Sequence, residues 1–263
     1  MNNRAILCQI ANCAMGVVGD LLSKDQRLAT HLRSATSTSH QIIREESITE
    51  QMATTLIDRF PGQVKFTLFT ASEEARNGAD WYWRIQIGDR AIHARVQAKR
   101  VQRDTLGDSD NNGRIDLEMD QLKKLVDSAS VDRASLPNLE AWIATFARFN
   151  ANPSCGRQPV NCIIHGCGNS CMGISQPPSI WMAPAAHFIR DRKRQSVSIQ
   201  DIVTESIRLD CLLPCIEFEG DRGPKTKGFE LAPDLPDFDS CIAAIHANLP
   251  LSKSFEGALE IKA

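Results

Sequence analysis

The chain opens on a helical pattern: Ile6, Ile10, Ala14, Val17 and Leu21 recur at helix spacing and predict one amphipathic helix over residues 1–33. A Ser/Thr-rich link, SATSTSH (34–40), separates it from EESITEQMATTLIDRFPG, where Ile48, Met52, Leu56 and Phe60 fall one turn apart. Ser47 and Glu50 have capping-box spacing, so the second helix is expected to begin at Ser47 and to stop at Pro61-Gly62. The period then changes. VKFTLFT (64–70), WYWRIQIG (81–88) and AIHARVQAKRV (91–101) predict strands, the last two joined by a tight turn at Gly88-Asp89. Trp81, Trp83, Ile85 and Ile87 share one face of the middle strand and read as core. Ile92, Ala94, Val96 and Ala98 share a face of the next, which leaves Arg95, Gln97 and Lys99 together on the other. A helix over about 116–128 carries Leu117, Leu122, Leu125 and Val126, and EAWIATFARF (140–149) predicts a fourth strand.

Beyond residue 150 the texture becomes rich in Cys, Pro and Gly. Two helices are expected there, around 181–192 and 198–210, with the basic run RDRKR (190–194) between them and a loop-rich end. The expected organisation is an N-terminal helical segment (1–40), an α/β core (41–150) and a Cys-rich C-terminal part (151–263) packed on that core.

Counting eight residues back from Gly88 and eight forward from Asp89 brings Asp80 level with Gln97, with Lys99 beside them. An aspartate, an amide oxygen and a lysine meeting at one strand end suit phosphodiester hydrolysis assisted by Mg²⁺, a hard cation that takes oxygen ligands and keeps several waters. Asp80 and Gln97 would supply oxygens, and Lys99 would orient or deprotonate water or stabilise charge on phosphate. A third oxygen is wanted beside the neutral Gln97. Glu50 on the preceding helix is the candidate, with Glu73 and Glu74 as rivals in what reads as a loop. The competing structural reading makes Asp80 a turn cap and leaves Gln97 and Lys99 on a solvated sheet face.

The order of a helix with an acid, a strand, GAD, a strand and QAK resembles the PD-(D/E)XK nuclease superfamily. The likeness lies closest to its restriction-endonuclease-like, Mrr-type branch, which carries Q-x-K. The residues that carry it are TEQ (49–51), EARNGADWYW (74–83) and VQAKR (96–100), within about 45–150. The chain also resembles a set of bacterial proteins with an EE…GADW…QAKR pattern and a following helix bearing a glutamine, here Gln121. The resemblance implies an α/β fold with a mixed central sheet flanked by helices, and a Mg²⁺- or Mn²⁺-dependent nuclease. Asp80, Gln97 and Lys99 would hold its metal and catalytic positions, Glu50 the helix acid, and Gln121 a nucleic-acid contact. It further implies DNA more than RNA as substrate, a role in defence against foreign DNA, and a homodimer or a defence partner. Where the superfamily more often has an acid, this chain has Gln97. That departure motivates the rival expectation, an inactive nuclease fold that binds nucleic acid or a protein.

Composition narrows these readings. The chain has 263 residues, 42% hydrophobic and 24% charged, with a net charge of −2. A nucleic-acid partner must therefore meet a local basic patch, for which Arg95, Arg100 and Arg103 beside the site are candidates. RDRKR reads better as a solvated helix face. Nine cysteines, an odd number, and a start without a basic region ahead of a long apolar core argue for a reduced cytoplasmic protein rather than a disulfide framework. No run is expected to reach the roughly 18 apolar residues of a membrane span. Cys155, Cys162, Cys167 and Cys171, with His165 among them and Cys211 and Cys215 further on, form a minor zinc candidate. Their C-x6-C-x4-C-x3-C spacing lacks the paired C-x2-C of zinc knuckles. DSDNNGRIDLEM (108–119) imitates a calcium loop but ends on Met119 where the bidentate acid belongs, so a solvated acidic turn is expected.

Overall fold

A computed structural model describes residues 3–32, 42–87, 90–102, 113–136, 139–147, 179–189, 194–199, 201–202, 206–216 and 259–260. Helices α1 (Asn3–Leu32) and α2 (Glu45–Arg59) precede strand β1 (Val64–Leu68), and α3 (Ala71–Asn77) leads into β2 (Trp81–Ile87) and β3 (Arg90–Arg100). Strand β4 (Arg114–Glu118), helix α4 (Met119–Asp132) and strand β5 (Leu139–Phe146) follow. Then come β6 (Ile180–Pro184), a 3-10 turn at Ala185–Phe188, β7 (Arg194–Ser198), β8 (Ile207–Arg208), α5 (Leu209–Ile216) and β9 (Leu259–Glu260).

The result is a mixed α/β architecture. Seven strands form one sheet in the order β8-β6-β5-β3-β2-β1-β9. β3 and β5 run parallel and the other neighbours antiparallel. β4 and β7 make a separate antiparallel ribbon. Strand alternation divides the core in two. Trp81, Trp83, Ile92, Ala94, Val96 and Ala98 face one way, onto Leu7, Ile10, Val18 and Leu22 of α1 and Ile48, Met52 and Leu56 of α2. Tyr82, Ile143 and Ala183 face the other, onto Leu122, Leu125 and Ala129 of α4 and Ile115 and Leu117 of β4. Trp81 and Trp83 lie within this core, and Trp81 stacks on Phe146 at a centroid distance of 6.5 Å.

Several expectations change. Helix α2 begins at Glu45, with Arg44 at its N-cap and no side-chain cap, so Ser47 is not the capping residue. Residues 116–118 belong to β4 and pair with β7. The described part of the helix expected over 181–192 is strand β6 followed by the 3-10 turn. Ile180, Trp181, Met182 and Ala183 are all buried, and a short run buried on both faces carries no periodicity to tell strand from helix. Among its described residues the stretch expected as helix over 198–210 is helical at 199, 201–202 and 209–210, while Ile207–Arg208 forms β8 at the sheet edge. The main sheet also crosses the proposed division at residue 150, since β6 pairs with β5 and β8 with β6. Over Ala5–Ala29, α1 is long and apolar enough by length and composition to cross a membrane, contrary to the sequence expectation. Here its apolar side packs into the core and its Asp25 is buried in an ion pair. The cysteines at 155–171, His165, Arg103 and the 108–112 loop lie outside the described residues.

Candidate functional site

The site forms where β2 stops and β3 continues. The last strand pair is Trp81 with Val96, and the Asp80 N–H donates to the Val96 carbonyl at 2.9 Å. One further step sets Asp80 opposite Gln97, the register obtained by counting from the turn. On its other edge β3 stays paired with β5 as far as Arg100 with Phe146. On the β2 edge, the N–H groups of Ala98 and Arg100 point the same way as the Val96 carbonyl and meet no strand. Two carboxylates take them. Asp80 accepts from the Ala98 N–H, and Glu45, the first residue of α2, accepts from the Arg100 N–H.

Local sequence explains why Asp80 sits there. Thr70 and Glu73 form a reciprocal capping box at the start of α3. Gly78 closes that helix at φ +74°, the left-handed region, and the Asn77 Oδ1 accepts from the Ala79 N–H at 2.8 Å. A Cβ on Gly78 would lie 2.2 Å from the Gln121 carbonyl oxygen, so glycine lets this turn rest against the backbone of α4. Three bonds tie the two helices. Gln121 Nε2 donates to Glu74 at 2.9 Å, Lys124 Nζ to the Ala75 carbonyl at 2.7 Å, and Ser128 Oγ to the Asn77 carbonyl at 3.0 Å.

Burial pushes the Asp80 carboxyl well above the usual carboxylate range. Glu45 and Glu74 push it further, while Lys99 and the Ala98 N–H pull it back. Glu45 is pushed up to about 7, again chiefly by burial, with Lys99 and the Arg100 N–H opposing and Glu46 and Glu74 adding to the rise. Asp80 and Glu45 thus share the field of one lysine, and Glu74 adds negative charge to both. Gln97 beside them has no exposed surface, and both its amide nitrogen and its amide oxygen lack a hydrogen-bond partner. An orphaned buried amide normally costs stability.

This donor set fits a divalent cation. Desolvated, mutually repelling carboxylates and an unpartnered amide oxygen are hard ligands that positive charge would satisfy. Among the described residues no three His, Cys, Asp or Glu side chains cluster tightly enough to hold a metal by themselves. A shared role for Gln97 and for water suits Mg²⁺, which keeps several waters.

A sequence model for DUF6615, a family of unknown function, matches residues 8–253. The chain belongs to that family. No curated protein matches it. The DUF6615 match runs from α1 through α5 and so includes every residue of the site.

In this DUF6615 chain the sequence-predicted residues divide. Asp80, Gln97 and Lys99 come together as expected, and Glu74 joins them from helix α3 rather than from a loop. Glu50 does not. It is exposed, five residues beyond Glu45 and so roughly 140° around the helix from it. Glu45 is the helix acid that faces Lys99, and sequence reasoning missed it although the EE of the quoted pattern contains it. Glu73 is occupied in its capping box.

The predicted basic surface is also corrected. Arg95 is fully buried and ion-paired with Asp132 of α4, and Arg100 is buried and ion-paired with Asp25 of α1. Both guanidiniums are buried in ion pairs rather than presented on the surface. Gln121 spends its amide on Glu74. Cys211 and Cys215 fall in α5, and Arg194 opens β7 rather than ending a helix.

Proposed function

We propose that this chain is a restriction-endonuclease-like nuclease of the PD-(D/E)XK type that hydrolyses phosphodiester bonds in nucleic acid with Mg²⁺ or Mn²⁺. One observation carries the reading: Asp80 and Glu45 accept alternate N–H groups at the unpaired end of β3, with Lys99 in their field and the orphaned Gln97 beside them. Asp80, Glu45 and the Gln97 oxygen would hold the cation, which would polarise the scissile phosphate and acidify a bound water. Glu74, steadied by Gln121, adds negative charge to the same pocket of field. Lys99 offsets the acids before substrate arrives and offers a donor for a phosphate oxygen or a water. DNA as the preferred substrate, a role in defence, and action as a dimer follow from the resemblance.

The full burial of Gln97 favours a second reading, a non-catalytic fold that binds nucleic acid or a protein partner. The test is cleavage of supercoiled plasmid, single-stranded DNA and RNA with Mg²⁺, Mn²⁺ or EDTA, alongside Asp80→Asn, Glu45→Gln and Lys99→Ala. Metal-dependent cutting lost in all three supports the nuclease. Folded protein that binds nucleic acid or a partner but cuts none of the substrates supports the second reading.

A further inference from the structure

Directly behind the site, a buried network joins α1 to the segment that leads into α2. Asp25 Oδ1 accepts from the backbone N–H groups of Ile42 at 2.8 Å and Ile43 at 2.6 Å. Its Oδ2 pairs with Arg100 Nη2, and Arg100 Nη1 donates to the Ile43 carbonyl. The Ile42–Ile43 segment is therefore gripped at two amides and one carbonyl. Two residues later stands Glu45, whose carboxylate accepts the backbone N–H of the same Arg100.

This arrangement substitutes for a missing cap. Helix α2 starts without a side-chain N-cap to fix the direction in which its first residue enters. The bonds from Asp25, seventeen residues before Ile42, fix it instead. A buried ion pair by itself is often replaceable by apolar residues of similar size at little cost, but this one, at 6% and 3% side-chain exposure, also holds two backbone N–H groups and a carbonyl of the segment leading into α2.

We propose that Asp25 and Arg100 are positioning residues that aim Glu45 at the cation site. The inference rests on the proposed cation-dependent reading; it adds Asp25, outside the matched motifs, and gives Arg100, the last residue of VQAKR, a positioning role. The test measures Mn²⁺ binding by calorimetry on the full chain, with circular dichroism to verify folding. Asp25→Leu combined with Arg100→Met removes both charges and the hydrogen bonds to the Ile42–Ile43 segment. Asp25→Asn combined with Arg100→Gln removes the charges but leaves groups able to make those bonds. The first double variant should lose about tenfold to a hundredfold in Mn²⁺ affinity, the loss typical of outer-shell partners, while the second keeps most of it. Equal affinity in the two double variants overturns the proposal and leaves the cation site standing. Absence of Mn²⁺ binding in the wild type overturns both. If the Leu/Met variant does not fold, Asp25→Ala, which removes the bonds to Ile42 and Ile43, is measured alone and with Glu45→Gln. Losses that fail to add support action through Glu45, and fully additive losses refute it.

Discussion

Asp80 accepts the backbone N–H of Ala98, the first donor on the β2 edge of β3 beyond the final strand pair, Trp81 with Val96. A side chain thus replaces a strand, and it does so with a carboxyl that burial and two neighbouring acids hold well above its usual pKa. An amide at this position keeps an oxygen for Ala98 and discards the unfavourable charge. Asp80→Asn should therefore be more resistant to thermal unfolding than the wild type at pH 8 without metal, yet lose at least about a hundredfold in metal-dependent cleavage. Stability and function pull apart here, as at other sites that store unfavourable charge. A variant that is both less stable and equally active would remove Asp80 from the site.

Glu45 and Glu50 lie on one helix and differ in what they face. Glu45→Gln should abolish cleavage to within assay background, because its carboxylate shares the field of Lys99 and Asp80. Glu50→Gln, an exposed change, should leave cleavage unchanged and stability within about 0.5 kcal/mol. Plasmid nicking by the two proteins, side by side, decides between them. The opposite ranking would restore Glu50 as the helix acid.

The contrast shows where the sequence was readable. The hairpin register could be counted because a short turn joins two strands whose apolar faces alternate cleanly, so Asp80 reached Gln97 on paper and in the structure. The phase of α2 was equally plain from Ile48, Met52 and Leu56. Its starting residue was not, since Ser47 and Glu50 offer a local capping signal while the helix starts at Glu45, just after a segment bonded to Asp25, remote in sequence. Arg95 and Arg100 misled for the same reason. A guanidinium on a strand face reads as solvated until its partner is known, and Asp132 and Asp25 stand 37 and 75 residues away. Long-range partners of buried charges are what a single sequence hides.

The raised Glu45 carboxyl makes stability depend on pH. Its value in the fold is about 7 against 4.5 for an unperturbed group. Below the lower value both folded and unfolded chains hold the proton and there is no penalty. As pH rises through the interval the unfolded chain releases its proton first, so stability is lost progressively and the loss is complete above about pH 7. Urea midpoints of metal-free protein at pH 5 and pH 8 should thus fall more steeply for wild type than for Glu45→Gln. The difference should be on the order of 1 kcal/mol, allowing for partial exposure. Parallel slopes for the two proteins would show that the carboxyl is not perturbed.

Arg95 and Asp132 bind α4 to the sheet from within. Removing only the guanidinium strands a buried carboxylate, so Arg95→Ala should cost about 3–5 kcal/mol in chemical denaturation. Arg95→Met combined with Asp132→Leu should recover most of that loss. Nucleic-acid affinity of the recovered protein, read by fluorescence anisotropy, should equal the wild type. A weakened, less salt-dependent interaction in that variant would instead return Arg95 to the phosphate contacts.

Gly78 couples the two halves of the site most directly. Its φ of +74° penalises any side chain, and a Cβ there would stand 2.2 Å from the Gln121 carbonyl oxygen and 2.7 Å from the Leu125 amide nitrogen. Both obstacles are backbone, so relief requires α4 to move away from the turn that carries Asp80. Gly78→Ala should therefore destabilise by about 2 kcal/mol or more. The displacement would also stretch the bond from Gln121 to Glu74, at 2.9 Å in the native fold. Mn²⁺ affinity measured on the folded fraction should then fall together with stability. Gln121→Ala, which cuts that bond without touching the turn, should lower Mn²⁺ affinity while leaving Gly78 unstrained and most stability intact. If Gly78→Ala lost stability but bound Mn²⁺ as well as the wild type, the turn would serve the fold alone and Asp80 would not depend on the seat of α4.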